Sequence, residues 1–108
     1  MPSGAALSRL SIRSAITIAR NSVTVVRQRR VGLWWVRTRI GADCFPDMAV
    51  PTAMVRGARR ERRIFAALVA LGVDDATAMT LSVRSRTDGR RWEEVVRWYA
   101  KMVLNSVG

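Results

Sequence analysis

Residues 56–75 read RGARRERRIFAALVALGVDD, and their apolar spacing is that of a helix. Ile64, Leu68 and Leu71 recur at i, i+4 and i+7, Phe65 and Val69 widen the same stripe, and Arg56, Arg59 and Arg63 point away from it. The spacing predicts an amphipathic helix over 56–71 with a basic back. Gly72 follows the last periodic residue, where a backbone free of Cβ takes the left-handed turn that ends a helix. Asp74 or Asp75 then offers a side-chain oxygen to cap a second helix over 76–83, in which Met79 and Val83 stand one turn apart. Two helices joined by a short Gly-containing turn outline a helix-turn-helix.

Downstream the helical period returns. Trp92, Val95, Val96, Tyr99, Met102 and Val103 repeat at i, i+3, i+4, i+7, i+10 and i+11, with Asp88 where a cap is wanted. Glu93 and Glu94 sit in the first turn and Lys101 near the last, as the helix dipole favours, and Glu93 and Arg97 are spaced for an ion pair. Between the second and third helices, Arg84, Arg86, Arg90 and Arg91 share a segment with Ser82, Ser85 and Thr87. Guanidinium forks and a helix N-terminus both suit anionic oxygen, so this segment is a candidate phosphate-binding surface, the plain alternative being a solvated loop. Arg56, Arg59, Arg60, Arg62 and Arg63 form a second cluster, and two clusters bracketing one helical pair can line a single face.

Upstream the character changes. Residues 43–55 contain Pro46 and Pro51 and read as a linker or loop. Before them, Val36 to Ile40 alternates as a strand does, and a short hairpin over 23–40 would put Val31, Leu33 and Trp35 on one face and Trp34, Val36, Thr38 and Ile40 on the other. The turn near Arg29 and Arg30 lacks Asn-Gly chemistry. Trp34 and Trp35, flanked by Arg37 and Arg39, are candidates for stacking on unpaired bases; the simpler reading makes at least one of them core. In the first thirty residues Arg9, Arg13, Arg20 and Arg27 fall on one side of a helical wheel, opposite Leu7, Leu10, Ile18 and Val25. That stripe, Arg-rich and acid-free, suits organelle targeting to mitochondria or an anionic membrane surface; the alternative is a disordered basic arm. The β-branched run Val23 to Val26 weakens the helix in its second half.

Composition bounds the function. The chain has 108 residues, 49% of them hydrophobic and 25% charged, which suits one small globular core. Lys+Arg is 19 against Asp+Glu 8, a net charge of +11, and every basic residue except Lys101 is Arg. Residues 1–42 hold eight Arg and no acid, whereas residues 64–108 are nearly balanced. With no His, imidazole acid/base chemistry, His-based triads and His metal sites are excluded. A lone Cys44 forms no internal disulfide or Cys-rich zinc site. No apolar run reaches the roughly 18 residues of a membrane-spanning helix. Neither GxGxxG nor a Walker-type loop occurs, and the adjacent pairs Asp74-Asp75 and Glu93-Glu94 are explained by helix N-termini. The expectation is a protein that is not an enzyme, with no cofactor, metal or small-molecule substrate.

The segment Arg59-Arg60-Glu61-Arg62-Arg63, then Leu68 to Val73, Ala78, Ser85-Arg86, Gly89, Trp92 and Leu104-Asn105, resembles the C-terminal tail of group II intron-encoded reverse transcriptase/maturases. Here Thr87-Asp88 separates Arg86 from Gly89, and two residues separate Gly89 from Trp92. The resemblance covers residues 56–108, and the chain has no paired-Asp polymerase motif. It implies a detached tail that contacts nucleic acid without polymerase chemistry.

The expectation is therefore a mainly α protein: a three-helix, helix-turn-helix-like unit over 56–108, a linker over 43–55, and a basic arm over 1–42 that is disordered or contains the hairpin. Its expected partner is nucleic acid, DNA or RNA, held by the nine Arg of the two clusters, with cytoplasmic location; the alternative is a cationic membrane-surface or organelle-targeted protein using the N-terminal stripe.

Overall fold

The computed structural model describes residues 10–107, so Leu7 and Arg9 of the N-terminal stripe lie outside the described residues. In chain order come α1 (Ile12–Ser22), β1 (Val23–Gln28), β2 (Leu33–Ile40), β3 (Asp43–Cys44), β4 (Met48–Pro51), α2 (Val55–Ala70), α3 (Asp75–Arg84) and α4 (Trp92–Val107). Short 3-10 turns lie at Thr52–Met54 and Ser85–Thr87. The expected mainly α fold is thus corrected: among the described residues four helices pack with a four-stranded antiparallel sheet, a mixed α/β architecture.

The difference arises in residues 12–51. Ser11 caps α1, its hydroxyl accepting the Ser14 N–H at 3.0 Å. The helix gives way to β1 where the β-branched run begins, because such side chains crowd a helical turn and suit a pleated strand. The cationic stripe is divided by that change: Arg13 and Arg20 are exposed on α1, and Arg27 is on β1.

β2 is the central strand. β1 runs antiparallel along one edge, from Val23↔Thr38 to Gln28↔Leu33. Along the other edge β3 pairs Ile40↔Asp43 and Arg39↔Cys44, and β4 pairs Val36↔Met48 through Leu33↔Pro51. Between β3 and β4 the register slips by one residue: the Phe45 N–H reaches the Thr38 carbonyl at 3.0 Å, and Phe45 to Asp47 bulge opposite Arg37 and Thr38. Residues 43–51, expected as linker from their prolines, are therefore a bulged edge strand. An edge tolerates proline at a bulge or strand end, where no ladder N–H is required. Arg29 to Gly32 closes the first hairpin, with Gly32 at φ 67° in place of the Asn-Gly turn that the sequence lacks.

Residues on β2 alternate as the strand period demands. Val36, Thr38 and Ile40 are buried, while Arg37 and Arg39 are exposed. α2 covers the inner face with its first half, Ala58 packing with Val23, Val36 and Val50. Its second half is buried nearly all round. Ile64, Phe65, Ala66, Ala67, Leu68 and Ala70 share one cluster with Ala15, Ile16 and Ala19 of α1, Ala78 and Leu81 of α3, and Val95, Val96 and Tyr99 of α4. Alanines at so many of these contacts let the helix backbones approach closely. The helices of residues 56–108 thus share their core with α1 and the sheet instead of standing as a separate unit.

Gly72, at φ 96°, ends α2: its N–H bonds the Val69 carbonyl at 2.9 Å and the Val73 N–H bonds the Leu68 carbonyl at 3.0 Å, a Schellman closure. Asp74 then caps α3, accepting the Thr77 N–H at 3.0 Å, and that hydrogen bond lowers its carboxyl pKa. Asp74→Ala is expected to remove this cap and lower the urea midpoint of unfolding with an unchanged m-value. α4 starts at Trp92, with Val95, Val96 and Tyr99 buried. Its expected cap, Asp88, instead accepts the Arg90 N–H at 2.9 Å, and Glu93 pairs with Arg20 at 3.3 Å in place of Arg97. No helix among the described residues is long and apolar enough to cross a membrane.

Candidate functional site

Arg56, Arg59, Arg60 and Arg63 recur at i, i+3, i+4 and i+7, so one face of α2 carries all four. That face borders a groove of about 1000 Å³. Trp34 and Thr52 line it on the sheet side, and Gly89, Arg91 and Trp92 line it on the side of the α4 start. Trp34 is fixed by its indole N–H, which donates to Thr52 Oγ1 at 2.8 Å. Each indole also meets guanidinium: Arg27 stands 5.7 Å from the Trp34 ring centre, and Arg20 and Arg63 each stand 5.8 Å from that of Trp92. The groove is thus a cationic channel with an aromatic wall at either side. Its acid is Glu93; burial alone would raise that carboxyl's pKa, but hydrogen bonds from its own N–H and from Arg20, with Arg91 nearby, lower it.

The two Arg clusters divide between groove and scaffold. Arg56, Arg59 and Arg91 are exposed in the groove, and Arg63 lines it half-buried. Burial first, and then the like charge of Arg59, lower the pKa of Arg63, which stays protonated in water at neutral pH as any guanidinium does. Arg60 also lines the groove, but its guanidinium is committed: it donates to the carbonyls of Ser85 at 2.9 Å, Asp88 at 2.7 Å and Arg90 at 2.8 Å. That fork ties the 85–91 segment to α2, alongside the pair of Arg86 with Glu61.

The remaining four lie elsewhere. Arg62 is 6% exposed, donates to the Pro46 carbonyl at 3.1 Å and lies over the Phe65 ring at 5.6 Å, with its pKa lowered by burial. Arg86 makes a bidentate pair with Glu61, whose carboxylate is buried at the middle of α2; that hydrogen bond raises the pKa of Arg86. Arg90 chelates Asp88, which holds the Asp88 carboxyl down at about 2, and lies 5.2 Å over Trp98. Arg84 is exposed at the end of α3 and outside the groove.

Of the two tryptophans singled out for stacking, Trp34 faces inward with Val36 and enters the groove, and Trp35 faces the opposite side of the sheet. Trp92 was not expected at a site, and Arg20 and Arg27, expected on the N-terminal cationic stripe, stand instead over the two indoles. Trp92 carries the core periodicity of its helix, and the approach of α1 and β1 to this groove has no local signal. Among the described residues no cluster of His, Cys, Asp and Glu is fit to hold a metal ion, and Cys44 is exposed and free.

In comparison with known proteins, the chain matches no family model, no curated protein and no solved structure.

Proposed function

We propose that this protein is a nucleic-acid-binding module, without catalysis of its own, that grips the phosphate backbone in the groove between α2 and the start of α4. The observation that carries the reading is the convergence of Arg56, Arg59, Arg63 and Arg91 between the walls formed by Trp34 and Trp92. Guanidinium forks match phosphate oxygens two at a time, and a net charge of +11 attracts a polyanion from a distance. The residues shared with maturase tails divide between groove and core: Gly89 and Trp92 line the groove, whereas Ser85 is buried and Arg86 is bound to Glu61. Such a module works where its nucleic acid is, and we place it in the cytoplasm. The organelle address is less favoured, because Ala15, Ile16 and Ala19 of α1 belong to the core, and a removed leader would take them with it.

A salt titration of binding, followed by fluorescence anisotropy, tests this. Log K against log salt is expected to fall linearly for the full chain. The triple variant Arg56→Ala, Arg59→Ala, Arg91→Ala should flatten the slope by about 2 to 3, since each phosphate contact contributes about 0.9 on duplex DNA. Arg84→Ala, outside the groove, should leave it nearly unchanged. An unaltered slope in the triple variant, with the fold intact by circular dichroism, would sink the proposal.

A further inference from the structure

The sheet has a second face that the groove does not use. Partner residues in an antiparallel ladder share a face, so Val26↔Trp35↔Ala49 forms one row across three strands, with Leu33 and Arg37 two positions away on β2. Trp35 therefore sits on the central strand, in the middle of that face. Val26 is 40% exposed, Ala49 and Arg37 are exposed, and Trp35 and Leu33 are half-buried. Among the described residues, neither apolar cluster of the protein includes Val26, Leu33 or Trp35. The face is consequently an aromatic centre on an otherwise open sheet.

Its surroundings point to the partner. Arg37 and Arg39 follow Trp35 on the same face, at about 7 and 14 Å along the strand. Arg39 is exposed and has no described ion-pair partner, whereas Arg37 pairs with Asp47 at 3.1 Å. Arg29 and Arg30, also exposed, stand at the hairpin end beyond β1. A second copy of the chain laid on this face would bring its own Arg37 and Arg39 onto a surface of like charge. A polyanion with flat apolar groups answers the charge and the indole together, and an unpaired nucleic-acid strand has both, whereas duplex bases are already stacked.

We infer that the outer sheet face is a binding surface for single-stranded nucleic acid, with a base stacked on Trp35 and the backbone led past Arg37 and Arg39. It extends the groove reading by naming the strandedness of the ligand, yet it rests on a different surface and fails independently. The full chain, labelled with 5-fluorotryptophan and with each fluorine resonance assigned by Trp→Phe variants, is titrated with a short oligothymidylate and with a short blunt duplex. The Trp35 resonance should shift with the oligothymidylate and not with the duplex. Trp35→Ala should weaken oligothymidylate binding between about fivefold and a hundredfold, Trp35→Phe much less, and duplex affinity should not change. If the Trp35 resonance stays still while the groove triple variant still weakens oligothymidylate binding, the inference is overturned and the groove reading stands. If oligothymidylate and duplex bind nowhere on the protein at low salt, both readings fall.

Discussion

Phe65→Ala is expected to destabilise the protein by about 3–5 kcal/mol, the range for deleting a ring from a close-packed interior. Phe65 is 1% exposed and lies in the stretch of α2 that touches every layer. Its ring meets Phe45 edge-on, with centroids 5.0 Å apart and planes at 85°. Phe45 belongs to the bulge of the edge strand, so this contact joins the sheet edge to the helical core. The ring also carries the buried guanidinium of Arg62 at 5.6 Å. Deleting it leaves a cavity beside a charge already short of solvent, and the bulge loses the side chain that seats it. Total stabilities of such domains are about 5–15 kcal/mol, so much of the native population would be lost on warming. Urea unfolding with tryptophan fluorescence and circular dichroism followed in parallel measures the effect. A loss below about 1 kcal/mol would mean that the Phe45 contact is not part of the native core.

Arg60→Ala is the second large effect. One guanidinium holds three backbone carbonyls, those of Ser85, Asp88 and Arg90. Hydrogen bonds to charged groups contribute about 1.5–3 kcal/mol each, less than additively within one network, so a total of about 2–4 kcal/mol is expected. Arg60→Lys should not restore it, because an ammonium lacks the planar fork that spans three acceptors. The loss has a local signature: amide exchange should speed up over residues 85–91 well before it does in α2. It also reaches the groove, since Arg91 ends the segment that Arg60 holds and Trp92 follows directly on it. Nucleic-acid affinity should then fall by more than removal of one exposed contact such as Arg56 brings. Unchanged exchange over 85–91 in Arg60→Ala would show that the Arg86–Glu61 pair holds the segment without the fork.

These two residues also mark what local patterns convey. Phe65 was legible as core because Ile64, Leu68 and Leu71 around it keep a helical period. Arg60 and Arg62 are two positions apart, so the helical period sets them on opposite sides of α2, but it does not say what each side meets: one pins a loop from the groove side and the other is buried against Pro46. Trp34 and Trp35 pose the same problem. The strand period says only that neighbours face opposite ways, and the position of α2 makes one side the inside.

From sequence alone came the helices after residue 55, the stop at Gly72, a cap at Asp74 or Asp75, the alternation along β2 and the strongly cationic character of the chain. Each rests on interactions within about one helical turn or one strand pair, which period and cap chemistry report directly. Tertiary structure alone decided that residues 43–51 form an edge strand despite their prolines, that α1 belongs to the core, and which arginines are free. Those outcomes depend on contacts between separate elements, Arg62 to Pro46 at 16 residues and Arg20 to Glu93 at 73 among them. The free energy of such contacts comes from burial and pairing across the fold, and no local pattern of residues carries it.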